Sequence, residues 1–134
     1  MYLLDTDILS NLMRRAPSTT LIAKLASVPK EAQFTSSITL GELVYGALRL
    51  GSRALLERLE DTLLPNLPVL SFDTAAARQY GAVRAELERR GEPIGDADLR
   101  IAAIGLARGL TVVTGNVRHF QRVPALPVEN WLEE

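Results

Sequence analysis

Tyr2-Leu3-Leu4-Asp5-Thr6-Asp7-Ile8-Leu9-Ser10 opens the chain, and its reading decides the fold. The apolar run Tyr2-Leu3-Leu4 is uninterrupted, the pattern of a strand buried on both faces rather than one. Asp5-Thr6-Asp7 breaks it, and Ile8, Leu9, Leu12 and Met13 then recur at helical spacing. A buried strand feeding a helix is the repeating unit of a parallel α/β sheet covered on both faces.

The same alternation continues outward. A helix over 19–28 stops at Pro29, and Gln33-Phe34-Thr35-Ser36 is strand-like. Thr39 opens the next helix, with Leu40, Leu43, Val44, Ala47 and Leu48 as one apolar stripe, Glu42, Tyr45 and Arg49 opposite, and Gly51 after its end. Ser52 caps a helix carrying Leu55, Leu56, Leu59 and Leu63 that stops at Pro65, and Pro68 to Phe72 reads as a strand. Asp73 starts a long helix that turns Ala76, Tyr80, Val83 and Leu87 inward and closes at Gly91. A turn-rich link, Pro93 to Asp98, leads into Leu99–Arg108, which is apolar almost all round and therefore buried. Gly109 ends that helix, Leu110 to Val113 is the most strand-like run, and Val128 adds a short edge strand. Without repeat, low-complexity tract or linker, 1–134 is expected to form one domain.

Composition narrows the chemistry. Of the 134 residues 47% are hydrophobic and 23% charged, enough apolar material for a real core. The absence of cysteine removes thiol nucleophiles, disulfides and Cys-ligated zinc, and the single histidine, His119, removes any two-histidine acid/base mechanism. A net charge of −1 argues against a sequence-independent coat on nucleic acid, so any such role is local. The N-terminus lacks a positive leader region, and no apolar run approaches the ~18 residues of a membrane span. A soluble, cytoplasmic protein with no membrane partner is expected.

In open parallel sheets ligands bind beyond the carboxyl ends of the strands, at the point where strand order reverses. Asp5 and Asp7 follow the first strand, Glu42 begins the helix after the second, Asp96 and Asp98 open the buried helix, and Asn116 follows Val112-Val113. Carboxylates gathered there repel one another unless a hard cation with oxygen ligands, Mg²⁺ or Mn²⁺, lies among them. Such an ion activates water and clamps a phosphoryl oxygen, the requirement for phosphodiester hydrolysis. Each acid also has a structural explanation. Thr39 and Glu42 match a capping box, Asp7 and Asp96 can cap helices, and Asp98 complements a helix dipole. Asp5 is hardest to explain so, because a carboxylate after a central buried strand is costly. His119 is expected to be a surface or satisfied side chain, Trp131 to pack, and Arg14-Arg15 and Arg89-Arg90 to be solvated helix ends.

Taken in order, five blocks resemble the PIN-domain ribonucleases, specifically VapC-type toxins of bacterial toxin–antitoxin pairs. They are residues 2–10, Ser36-Ser37-Ile38-Thr39-Leu40-Gly41-Glu42-Leu43-Val44-Tyr45-Gly46, Gly91 to Asp98 running into Ile101-Ala102-Ala103, Gly109 to Asn116 with Arg118-His119-Phe120, and Val128 to Leu132. The resemblance implies a PIN-like three-layer α/β domain, with a mostly parallel sheet of about five strands and helices on both faces. It makes Asp5, Glu42 and Asp98 the catalytic, metal-binding acids, places Asn116 where many members carry a fourth acid, and gives Thr6 and Thr114 supporting places. Asp96 adds an acid where relatives commonly have Pro, Asp7 stands where Asn is frequent, and Arg100 replaces a usual Leu. The implied activity is a Mg²⁺-dependent endoribonuclease that leaves a 5′-phosphate and a 3′-hydroxyl. The implied partners are an RNA substrate (tRNA in the most similar subgroup), a second copy of the chain in a homodimer, and a small antitoxin lying across the acidic cleft. Setting aside Asp5, Glu42 and Asp98 brings the formal charge to +2, so near-neutrality is compatible with local, metal-dependent RNA binding.

Other classes compete. Asp5-Thr6-Asp7 also matches the D-x-D motif of haloacid-dehalogenase-like phosphatases, whose first Asp is a covalent nucleophile. That family, like phospho-receiver domains, needs a lysine late in the chain, and none follows Lys30. A catalytically inactive PIN-like interaction domain is the remaining alternative, against which Asp5, Glu42 and Asp98 are all present.

Overall fold

The computed structural model describes residues 1–133; Glu134, included in the expected domain, lies outside the described residues. β1 (Tyr2–Leu4) is the middle strand of a five-stranded sheet ordered β3-β2-β1-β4-β5, and every pairing is parallel. The others are β2 (Gln33–Ser36), β3 (Val69–Leu70), β4 (Thr111–Val113) and β5 (Val128–Glu129). Seven helices supply the crossovers that parallel strands require: α1 (Thr6–Leu12), α2 (Thr19–Ala26), α3 (Ser37–Arg49), α4 (Arg53–Arg58), α5 (Thr74–Arg89), α6 (Asp96–Arg108) and α7 (Val117–Phe120). The order reverses between β1 and β4, which opens the binding crevice of such sheets.

Two cores explain the unbroken apolar runs. Leu3 and Val112 pack with Leu87, Ile101, Ile104 and Phe120 on one face. Leu4 and Val113, their immediate neighbours, pack with Ile8, Leu9, Leu21, Leu43 and Trp131 on the other. Successive strand residues point to opposite faces, so a strand buried twice must be apolar at every position. α6 is buried from Ile101 to Gly105, as its composition requires, and Gly109 ends it in the left-handed conformation (φ 66°) that favours glycine.

Several local expectations are corrected. α3 starts at Ser37, because Ser36 Oγ already accepts the Thr39 N–H at 3.0 Å; Thr39 is buried in the first turn and forms no capping box with Glu42. The stripe that α3 buries runs through Thr39, Leu43 and Ala47, so Leu48 is 62% exposed. Asp5, not Asp7, caps α1, and Gly95, not Asp96, precedes α6. α2 ends at Ala26, β3 spans two residues, and the segment to Pro65 changes from α4 to a π-helical turn (Leu59–Leu63) and a 3₁₀ turn (Leu64–Asn66). Among the described residues, no helix is long and apolar enough to cross a membrane.

Ile101 is fully buried between α6 and the sheet. Ile101→Ala should lower unfolding free energy by about 2–5 kcal/mol in urea titrations, the usual cost of a core cavity; a smaller loss would mean that this layer repacks.

Candidate active site

Asp5 stands where β1 ends and α1 begins, only 5% exposed. Its Oδ1 accepts the Thr6 N–H at 2.7 Å and its Oδ2 accepts the Thr114 hydroxyl at 2.8 Å. Burial pushes its pKa up to about 7; those two hydrogen bonds oppose the rise, and the negative charges of Asp7 and Asp98 add to it. Thr114, fully buried just after β4, in turn accepts the Asn116 N–H at 2.9 Å. Asp7, in the first turn of α1, accepts the Gly115 N–H at 2.8 Å, and burial raises its pKa as well. A Cβ at Gly115 would stand 2.7 Å from Asp7 Oδ2 and 3.0 Å from the Leu132 side chain, so any larger residue would have to displace the Asp7 carboxylate. The ends of β1 and β4 are thus tied together across the point of strand reversal.

The other acids come from the flanking helices. Glu42, in the second turn of α3, accepts the Thr6 hydroxyl at 2.6 Å, and Thr6 Oγ1 lies 3.2 Å from Thr39 Oγ1. Asp98, in the first turn of α6, accepts from Asn116 Nδ2 at 3.1 Å and lies 3.4 Å from His119 Nδ1. Asp5, Thr6, Asp7, Ser10, Glu42, Asp98 and Asn116 line one open cleft of about 270 Å³ beyond the carboxyl ends of the strands.

Of the residues expected at the site, Asp5, Thr6, Glu42, Asp98 and Asn116 meet in this cleft, and Thr114 braces it from behind. Asp96 does not join them. Its carboxylate accepts the Tyr80 hydroxyl at 2.5 Å and Arg100 Nε at 2.7 Å; these bonds hold its pKa below the usual range and tie α5 to α6. Ser10 and His119 escape the sequence reading. Their only signal is helical spacing, Ser10 four residues after Thr6 and His119 three after Asn116.

Every carboxylate, hydroxyl and amide here offers oxygen, the donor that hard divalent cations select. The negative charges of Asp7 and Asp98 beside one buried carboxylate also favour a cation electrostatically. As the side chains stand, each carboxylate is bonded to a protein donor, and among the described residues no three acidic or histidine groups converge closely enough to enclose an ion.

The chain matches the PIN domain family model over residues 2–126. It is 44% identical over 96 residues to the tRNA(fMet)-specific endonuclease VapC of Salmonella typhimurium, covering 72% of this chain and 73% of that protein. It is 35% identical to the protein of the same name from Shigella flexneri, over 97% of each chain. Its structure is similar to that in FitAcB from Neisseria gonorrhoeae, with a TM-score of 0.91, 33% identity and full coverage of both chains.

The raised Asp5 pKa predicts a pH dependence of stability. Between the unfolded value, near 3.8, and the native value, near 7, the native state holds a proton that the unfolded state has released. Stability should therefore fall as pH rises through that window, in melts run with a chelator. Asp5→Asn should remove most of the slope, leaving the part due to Asp7, which has the same sign. An unchanged slope in the variant would overturn this account of the buried carboxylate.

Proposed function

Since this chain belongs to the PIN-domain family, we propose that it is the endoribonuclease toxin of a toxin–antitoxin pair, hydrolysing RNA phosphodiester bonds with Mg²⁺, or Mn²⁺, at Asp5, Glu42 and Asp98. The observation that carries this reading is the meeting of those three carboxylates, from β1, α3 and α6, in one cleft where strand order reverses. The donor set fits the ion: it is rich in carboxylate oxygen and has no soft ligand. Asp5, Glu42 and Asp98 would hold it. Bound there, Mg²⁺ supplies a Lewis acid that lowers the pKa of water and draws charge from a phosphoryl oxygen.

The chain's own residues prepare that chemistry. Thr6 N–H and the Thr114 hydroxyl fix both oxygens of Asp5 before anything binds, so little orientational entropy remains to be lost. The Thr6 hydroxyl holds Glu42, and the Asn116 amide holds Asp98. Water attacking phosphorus in line with the departing 3′-oxygen leaves a 5′-phosphate and a 3′-hydroxyl. Acting on RNA places the work of the protein in the cytoplasm.

Relatives support the partners. Two are named as tRNA(fMet)-specific endonucleases, which favours tRNA as the substrate class. Solved neighbours include the VapBC complexes of Salmonella typhimurium and Rickettsia felis, which favour a cognate antitoxin, and a homodimer completes the proposed assembly. The phosphatase reading is not favoured, because no lysine lines the cleft.

Purified chain freed of antitoxin should cleave RNA with Mg²⁺ and stop with EDTA. Asp5→Asn, Glu42→Gln and Asp98→Asn should each reduce the rate by at least about 100-fold while remaining folded. Cleavage that persists in EDTA or in these variants would overturn the mechanism, and a parent protein inert with either ion would identify an interaction domain.

A further inference from the structure

His119 contacts the cleft without lining it. Its Nδ1 lies 2.8 Å from Asn116 Nδ2, and the same Nδ2 lies 3.1 Å from Asp98 Oδ2. With the imidazole proton on Nε2, both hydrogens of the Asn116 NH₂ are engaged, one by the Asp98 carboxylate and one by His119 Nδ1, which then stands as an acceptor 3.4 Å from Asp98 Oδ2. Turning the amide over would set Oδ1 against the Asp98 carboxylate, oxygen to oxygen, which electrostatics opposes. Both side-chain hydrogen bonds of Asn116 run through Nδ2, and among the described residues no donor reaches its carbonyl Oδ1. Among the described residues no buried side-chain nitrogen or oxygen lacks a partner, so Oδ1 meets solvent, and the cleft is the space that Asn116 lines.

We infer that His119 is a positioning residue: with Asp98 it fixes the Asn116 amide so that its carbonyl oxygen, not its NH₂, is offered to a divalent cation as a neutral ligand. The inference rests on the metal-dependent reading above. Asp98 alone would not suffice, because the lone pairs that orient Asn116 are the ones that an ion would draw upon. His119 Nδ1 remains an acceptor whether or not Asp98 is engaged, and it grips the second hydrogen, which a single bond leaves free to swing. Outer partners of this kind typically carry a 10–100-fold effect on metal affinity.

The test is Mn²⁺ binding by isothermal titration calorimetry on antitoxin-free protein, with thermal melts alongside. His119→Leu should weaken Mn²⁺ binding about 10-fold. His119→Asn should stay within about 3-fold of the parent, because its Oδ1 occupies the place of Nδ1 and accepts the same N–H. In an Asn116→Asp background His119→Leu should have little effect, since a carboxylate has oxygen on both sides and no wrong orientation. If the parent binds Mn²⁺ and Asp98→Asn abolishes binding, yet His119→Leu matches the parent or remains equally damaging beside Asn116→Asp, the inference falls and the metal reading stands. A parent that binds no Mn²⁺ overturns both.

Discussion

The structure depends on a carboxylate that has given up its water at the end of a central strand. Asp5 cannot sit there unless its oxygens find donors, since an unpartnered buried charge is far costlier than a surface one. One donor is local, the first free N–H of α1; the other, Thr114, arrives just after β4, 109 residues on. The pairing of β1 with β4 thus has a polar requirement beside its apolar one, and Thr114 and Gly115 are shaped by it. Two cores, one on each face, hold the strands firmly enough for those few polar contacts to keep their geometry.

Around that point the acids divide by role. Asp96 and Asp98 lie two residues apart on α6, about 200° around its axis, so one faces the cleft and the other faces α5. Asp98 faces the cleft while Asp96, with Tyr80 and Arg100, braces the helix that carries it. Arg100 reinforces the brace by lying 5.2 Å from the Phe72 ring centre and 5.1 Å from that of Tyr80.

How much of this the chain discloses depends on the range of the forces involved. The unbroken apolar run of β1 and the all-round apolarity of α6 are legible because double-sided burial leaves no room for polar residues. Asp5, Glu42 and Asp98 are legible because one follows a strand, one lies early in the helix after a strand and one opens a buried helix, and topology carries all three to one edge. Boundaries are less so: Ser36 and Thr39 can both begin α3, and only the fold chooses Ser36, by giving the Thr39 hydroxyl a neighbour in Thr6. Asp96 looks as able as Asp98 until the phase of the helix is known. His119 reaches the cleft only because Phe120, beside it, is anchored in the core and sets the orientation of α7, a tertiary fact without a local pattern.

The span of the Asp5 to Thr114 contact also bears on synthesis. β1 leaves the ribosome first and can pair with β2 early, whereas β4, at Thr111–Val113, emerges when most of the chain has been made. Contacts of such separation form late, because a long loop must close before they are rewarded. Until then Asp5 has one donor instead of two, Asp98 lacks Asn116, and the cleft has no far wall. A nascent or truncated chain ending before β4 carries the three acids but not the arrangement, so any activity of this site is withheld until translation is nearly complete.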